Sequence, residues 1–299
     1  MKVAVLGPKG TFCDKAFLEY SKIKDDITAQ YYSTIDDVFY SDCEYGIVPI
    51  ENTLDGYVQR TLDLLLDNDV CIIDENKIPV SFSLIANASK IDEINTLYVQ
   101  FKANGQCRKF INTLKNVKIC TTENNMESYY NIGVKYGAAA IVPKHIADLE
   151  LEKADIVLYN ESESVFQLQN RIVVSNVTDT DYNHTRFIIF KKCKVNLDNI
   201  HNTSLNNNQL HKNKSKVKIP VYIMPETDRP GILYELLKEF YDRQINLISI
   251  MSKPTRQQLG TYNFYIEIDG VFEKLDVIIE TLKKINETNG VKVLGVYYE

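Results

Sequence analysis

Arg186 stands at the start of an apolar β-type run, Asn183-His184-Thr185-Arg186-Phe187-Ile188-Ile189-Phe190, and that placement limits the folds open to the chain. Four consecutive apolar residues read as a buried strand, and a guanidinium at the end of such a strand is too costly to desolvate without an anion beside it. The anion is either a carboxylate of the chain or a bound ligand, and these residues alone leave both open. Ideal strand alternation also points Thr185 and Arg186 to opposite faces, so they reach one site only from a bulge or strand entry.

Around that strand, β and α patterns alternate, which favours an α/β domain with mostly parallel sheets. Lys2 to Leu6 reads as a strand and Thr11 to Ser21 as a helix. Tyr45 to Ile50 is a second buried strand, ending in the polar loop Glu51-Asn52-Thr53-Leu54-Asp55-Gly56. A helix with Val58, Leu62, Leu65 and Leu66 on one face follows. The segment from Ile78 to Ile85 starts a second lobe, and the chain returns to the first near Arg171 to Ser175. Two lobes joined by two crossings make a cleft.

Asn196 to Lys216 has little to bury and reads as a flexible linker; its His201 and His211 lack partners at metal-ligand spacing. Beyond it lies a β-α-β-β-α-β order, that of a ferredoxin-like fold. Its first strand is Val217 to Met224. Asp228 caps a helix with Ile232, Leu233, Leu236, Leu237 and Phe240 on its apolar face. Strands Ile245 to Met251 and Tyr262 to Ile268 follow, then a helix on Leu275, Ile278, Ile279, Leu282 and Ile285 ending near Asn289-Gly290, and Val291 to Tyr298 closes the sheet. The expected division is 1–193, a linker over 194–216, and 217–299.

The 299 residues carry a formal charge of −6 and a pI near 5.4, against the basic footprint of a nucleic-acid binder. No apolar run approaches a membrane span and the N-terminus is too brief for a signal-peptide core, so the expected location is cytoplasmic. Six cysteines, Cys13, Cys43, Cys71, Cys107, Cys120 and Cys193, form no C-x-x-C pair and read as small apolar fillers rather than a metal site.

Polar residues gather at turns after strands. Gly7-Pro8-Lys9-Gly10-Thr11-Phe12 is a turn whose N–H groups can hold an anion, or where Thr11 caps a helix; it lacks the P-loop ending. Glu51 and Asn52 sit at the carboxyl end of a buried strand, where open α/β sheets bind ligands. Thr121-Thr122 precedes a helix, as a cap or as a donor.

In chain order, Gly-x-x-Gly-Thr-Phe, Pro49-Ile50-Glu51-Asn52-Thr53-x-x-Gly, Gln106-Cys107-Arg108 and Asn183-x-Thr185-Arg186-Phe187 resemble the segments of prephenate dehydratases. Asp228-Arg229-Pro230-Gly231-Ile232-Leu233, with Asn246-Leu247, resembles the ACT domains that sense amino acids. The resemblance implies a bilobed, periplasmic-binding-protein-like catalytic domain followed by a ferredoxin-like ACT domain, acting on prephenate without metal or cofactor to form phenylpyruvate. It implies that Thr185 donates to the leaving oxygen, helped by Glu51 or Asn52, and that Arg186 grips a substrate carboxylate. Gly10, Thr11, Thr53, Gln106, Thr122 and Phe187 are the implied substrate contacts.

It further implies feedback by phenylalanine at Gly231, Ile232, Leu233, Asn246, Leu247, Ser252, Lys253 and Pro254, in a homodimer or homotetramer. Departures are Val99-Gln100, where the family carries a serine and a histidine, and Met251 and Lys253, where it carries an acid and an arginine. No helical mutase segment is evident. Arogenate, which differs by an amino group, is an alternative substrate, and a bilobed binding protein with an ACT sensor and no turnover is the rival class.

Overall fold

The computed structural model describes residues 1–153, 156–160, 165–168, 171–200, 215–227 and 229–298. The Asp228 cap and most of the linker, with His201 and His211, lie outside the described residues. Among these residues no helix is long and apolar enough to cross a membrane.

Strand β1 (Lys2–Leu6) is buried on both faces, with Val3 and Val5 in one apolar cluster and Ala4 in another. Burial of that kind needs helices on both sides of a sheet, which crossover connections supply. Helix α1 (Phe12–Ser21) leads to β2 (Thr28–Tyr32), and α2 (Ile35–Tyr40) to β3 (Tyr45–Asn52). Then β4 (Gly56–Tyr57) and α3 (Gln59–Asp67) lead to β5 (Cys71–Pro79).

The second lobe comprises β6 (Phe82–Ala86), β7 (Thr96–Gln100), α4 (Phe101–Gln106), α5 (Arg108–Ile111), β8 (Lys118–Thr122), α6 (Asn125–Ile132), β9 (Ala138–Pro143) and α7 (Lys144–Lys153). Strands β10 (Ile156–Asn160), β11 (Val165–Leu168) and β12 (Ile172–Val174) complete its sheet, in the order β10-β11-β12-β6-β9-β7-β8. The chain then re-enters the first lobe as β13 (His184–Lys191), between β3 and β5. It enters beside the point where β5 left, with His184 opposite Pro79, and therefore runs antiparallel to both neighbours. The expected mostly parallel sheets are corrected to mixed ones for that reason, and β12, β6 and β9 are likewise antiparallel.

The C-terminal unit runs β14 (Lys216–Pro225), α8 (Ile232–Tyr241), β15 (Asn246–Pro254), β16 (Tyr262–Val271), α9 (Leu275–Asn286), β17 (Asn289–Val293) and β18 (Tyr297–Tyr298). Its sheet order is β15-β16-β14-β17 with β18 beside β14, the expected ferredoxin-like arrangement. Helix α9 stops at Asn286, whose side chain accepts from the Val291 N–H, so Asn289-Gly290 already belongs to β17.

Period-two alternation gives this sheet two buried faces. Val217, Ile219, Val221 and Ile223 of β14, with Phe264, Ile266 and Ile268 of β16, pack beneath α8 and α9. The intervening Tyr222 and Tyr265 enter the first lobe's core beside Leu62, Leu65 and Ile188. Tyr222 donates to the Leu62 carbonyl at 2.7 Å, and Lys292 donates to the carbonyls of Leu66 and Asn68, both at 2.7 Å.

The two units also touch through backbone, with the Ile72 N–H donating to the Leu294 carbonyl at 2.6 Å. Gly295, at φ +137°, follows in a conformation that L side chains rarely adopt, and a Cβ there would press on the Ile72 carbonyl oxygen. Gly295→Ala should therefore destabilise the protein by about 1–3 kcal/mol, read as a lower urea midpoint; an unchanged midpoint would show that this junction is not tightly packed.

Candidate active site

The cleft between the lobes encloses ≈ 330 Å³ and is lined by strand ends and helix starts from both, among them Thr11, Asn52, Gln106, Thr185 and Phe187. Asn52, opposite Thr185 in the β3–β13 ladder, organises its polar side. The carbonyl oxygen of its side chain accepts from the N–H groups of Leu54 (2.9 Å) and Asp55 (3.1 Å), an Asx turn that fixes which end is the amide nitrogen. That nitrogen donates to Asn183 Oδ1 at 2.8 Å and Thr185 Oγ1 at 3.0 Å. Because Oγ1 is the acceptor there, the Thr185 proton is left to point at something else.

Asn183, only 1% exposed, passes the order across the cleft by donating to Gln106 Oε1 at 3.0 Å. The Gln106 carbonyl is thus occupied from the first lobe, and its NH₂ is the half that Asn183 does not use. Asn183 is not among the site residues that the sequence suggests; its position two before Thr185, where extended alternation points both side chains the same way, is the signal for it. The apolar side of the cleft includes Phe12, Phe82 and Phe187. Among the described residues of its lining the cation is Lys102, on α4 of the second lobe, which also reaches Asp55 of the first at 3.1 Å. The N-terminus of α6, capped by Asn124, opens onto the same space.

Arg186 and Glu51 are corrected: they occupy the opposite face of the sheet. Arg186 is 7% exposed and donates to Glu267 at 2.7 and 3.0 Å, to Glu75 at 3.0 Å, to Glu51 at 3.1 Å and to the Tyr57 hydroxyl at 3.3 Å. Lys218 donates to Glu75 at 2.6 Å, and the Tyr265 and Tyr297 hydroxyls donate to Glu267 and Glu75. Burial alone would push the Glu75 carboxyl up, but Arg186 and Lys218 together hold it below the usual carboxylate range. The guanidinium's anions are thus the chain's own. A bulge does lie between Arg186 and Phe187, yet it leaves Thr185 and Phe187 in the cleft and Arg186 behind it.

Other residues are placed as follows. The Gly10 N–H is spent on Asp14 at 2.8 Å, so it offers no donor to a substrate. Gly10 instead brings the lobes together: its φ is +92°, a Cβ would lie 2.7 Å from Met126 Sδ, and its carbonyl meets His145 Nε2 at 2.9 Å. Burial lowers the His145 pKa below its usual value, which suits a neutral ring donating to that carbonyl. Thr11 lines the cleft but also caps α1, accepting from the Asp14 N–H. Thr53 lies outside the cleft and ties the loop by donating to the Tyr182 carbonyl and accepting from the His184 N–H. Thr122 is buried and bonded to Ser128, and the cap of α6 is Asn124.

In the C-terminal unit, Gly231 (φ +89°) starts α8, and Ile232 lines a ≈ 630 Å³ cavity with Thr255, Gln258 and Phe264; Leu233 is half-buried in the core beneath. Asn246, Leu247, Ser252, Lys253 and Pro254 lie on β15. Lys253 is corrected as an effector contact: 7% exposed, it is bound to Gln59 and Asp63 of α3 at 2.8 and 2.7 Å. Among the described residues no group of three or more His, Cys, Asp or Glu is placed to hold a metal ion.

Residues 3–195 match the family model described as prephenate dehydratase, and residues 226–287 that described as ACT domain. The prephenate dehydratase of Methanocaldococcus jannaschii is 33% identical over 296 residues, 97% of this chain and 95% of that one. A crystal structure of the prephenate dehydratase from Staphylococcus aureus superposes with a TM-score of 0.70 at 25% identity, covering 99% of this chain and 100% of that one. Another, from Arthrobacter aurescens in complex with L-Phe, has a TM-score of 0.74 at 24% identity, covering 100% of this chain and 90% of that one, and supports the fold. With the family model spanning most of its length and a relative one-third identical over nearly all of it, the chain belongs to the prephenate dehydratase family and carries an ACT domain at its C-terminal end.

Proposed function

We propose that the family's reaction, the decarboxylating dehydration of prephenate to phenylpyruvate, takes place in the cleft around Thr185. In that reaction the bond from the ring to the carboxylate breaks, its electron pair aromatises the ring, and the C–O bond opposite breaks with its pair on oxygen. One proton from solvent completes the water that leaves. Aromatisation supplies the driving force, and the protein's task is to orient the substrate and favour the departing oxygen.

The observation that carries this reading is the Asn52–Thr185 bond, which leaves the threonine proton as a donor. A threonine hydroxyl is too weak an acid to be stripped at neutral pH, so it acts by hydrogen bonding in a concerted step. Phe12, Phe82 and Phe187 receive the ring, the Gln106 amide donates, and Lys102 with the start of α6 faces the carboxylates. Residues 1–193 form the catalytic part and 217–299 the regulatory part, in an expected cytoplasmic homo-oligomer. Phenylalanine is the proposed effector, because it is the pathway's product and the Gly231-Ile232-Leu233 helix start stands at a cavity. The commitment of Lys253 to Asp63 leaves the second effector segment, Met251-Ser252-Lys253-Pro254, without a free cation, so the response is weaker than in relatives that keep the acid and the arginine there.

Incubation with prephenate, and separately with arogenate, should give phenylpyruvate from the first; binding without turnover would favour the binding-protein reading. Thr185→Val should lower kcat about a hundred- to thousandfold with little change in KM, while Thr185→Ser keeps much of the activity. Asn52→Asp, nearly isosteric, replaces the donor to Thr185 with an acceptor that captures its proton. It should lower kcat by about tenfold or more, and normal turnover would remove the proposed orientation of that hydroxyl. For phenylalanine, calorimetry and inhibition assays on the full chain should both respond; silence in both at millimolar ligand would mean a different effector.

A further inference from the structure

Arg186 and Thr185 are neighbours on one strand facing opposite sides, so what holds the first also sets the second. On the β5 side the register of β13 is unbroken through this point, with Thr185 opposite Ile78 and Arg186 opposite Lys77. Against β3 the register skips Ile50 between Arg186 and Phe187, so the extra residue of this bulge stands on β3 and the pairing is irregular on that side alone. There the guanidinium is clipped by Glu51 of β3, Glu75 of β5 and Glu267 of β16. Glu267 comes from the regulatory sheet, is 2% exposed, and takes both of its contacts from one guanidinium nitrogen. Its own orientation is set by the Tyr265 hydroxyl, 2.6 Å from Oε1.

We propose that Glu267 is a positioning residue for the reaction: through Arg186 it clamps β13 to β3 beside this bulge and so keeps the Thr185 hydroxyl, opposite Asn52, aimed into the cleft, and the ACT domain thereby supplies part of the active-site geometry. The inference rests on the assignment of Thr185 made above. Strand β15, which carries the second effector segment, is paired directly to this point, with Ser249 opposite Glu267 and Met251 opposite Tyr265. A shift of β15 therefore reaches the anion that holds Arg186 within one strand spacing.

Glu267→Gln keeps the shape of the side chain and leaves Arg186 with Glu51 and Glu75. It should lower kcat with prephenate about ten- to a hundredfold, the loss that a misplacement of order an ångström causes, with KM changed by no more than about twofold. In a Thr185→Val background the same change should have no further effect on the residual kcat, because the group it positions is gone. Tyr265→Phe removes only the hydroxyl that orients Glu267. It should lower kcat about threefold, again with no effect in the Thr185→Val background, and it carries the test alone if Glu267→Gln fails to fold. Unchanged kcat in folded Glu267→Gln, or equal fold-losses with and without the Thr185 hydroxyl, would overturn the proposal and leave Glu267 a docking contact. Normal turnover by Thr185→Val would instead remove the Thr185 assignment on which it stands.

Discussion

One buried guanidinium decides how the parts of this protein are arranged. Arg186 cannot stay ionised between two sheets unless anions surround it, and they come from β3, β5 and β16. Lys218 takes the Glu75 oxygen that the guanidinium does not reach, and Tyr297 and Tyr265 complete the shell by donating to the Glu75 and Glu267 oxygens that it does. The first lobe alone supplies only part of this. Docking of the C-terminal sheet brings in Glu267, Lys218 and both tyrosines, and Tyr222, Tyr265, Leu294 and Tyr297 join the first lobe's apolar core in the same step. The C-terminal unit is thus packed against the first lobe as a layer of the same structure.

The other face of the same strand has a different chemistry. The cleft sets Lys102, Asp55 and Glu123 around neutral donors and aromatic rings, with Asn52, Asn183, Gln106 and Thr185 bonded in a chain that spans both lobes. A reaction driven by aromatisation asks for orientation and one well-aimed donor more than for a strong acid or base. Strand alternation separates the two environments by the thickness of one sheet, so the ionic network can be rigid without placing its charge beside the reacting ring.

Much of this was legible in the residues. The apolar periods of β14, β16 and α9 are local, and they appear as strands and a helix where the spacing indicated. The loop after Ile50 and the run after Asn183 do meet at the cleft. Arg186 shows the limit: adjacency to Thr185 on a strand already argued against a shared site, yet the identity of its anion was open. The Gly10 turn likewise allowed an anion site or a cap, and Asp14, four residues on, takes its N–H. Asn183 was in view as part of a motif, but the use of its amide to join Asn52 to Gln106 was not.

By itself the sequence determined what depends on near neighbours: which segments are strands or helices, which faces are apolar, and that a charge at position 186 needs a partner. Which partner, and on which side, only the tertiary structure decided. Glu75 and Glu267 lie 111 and 81 residues from Arg186 along the chain, and Lys253 meets a carboxylate on α3 rather than a ligand in its own domain. Periodicity acts over a few residues and can be read from the order of side chains. An ion pair or an amide bridge is settled by which surfaces dock, and that follows from the packing of whole sheets.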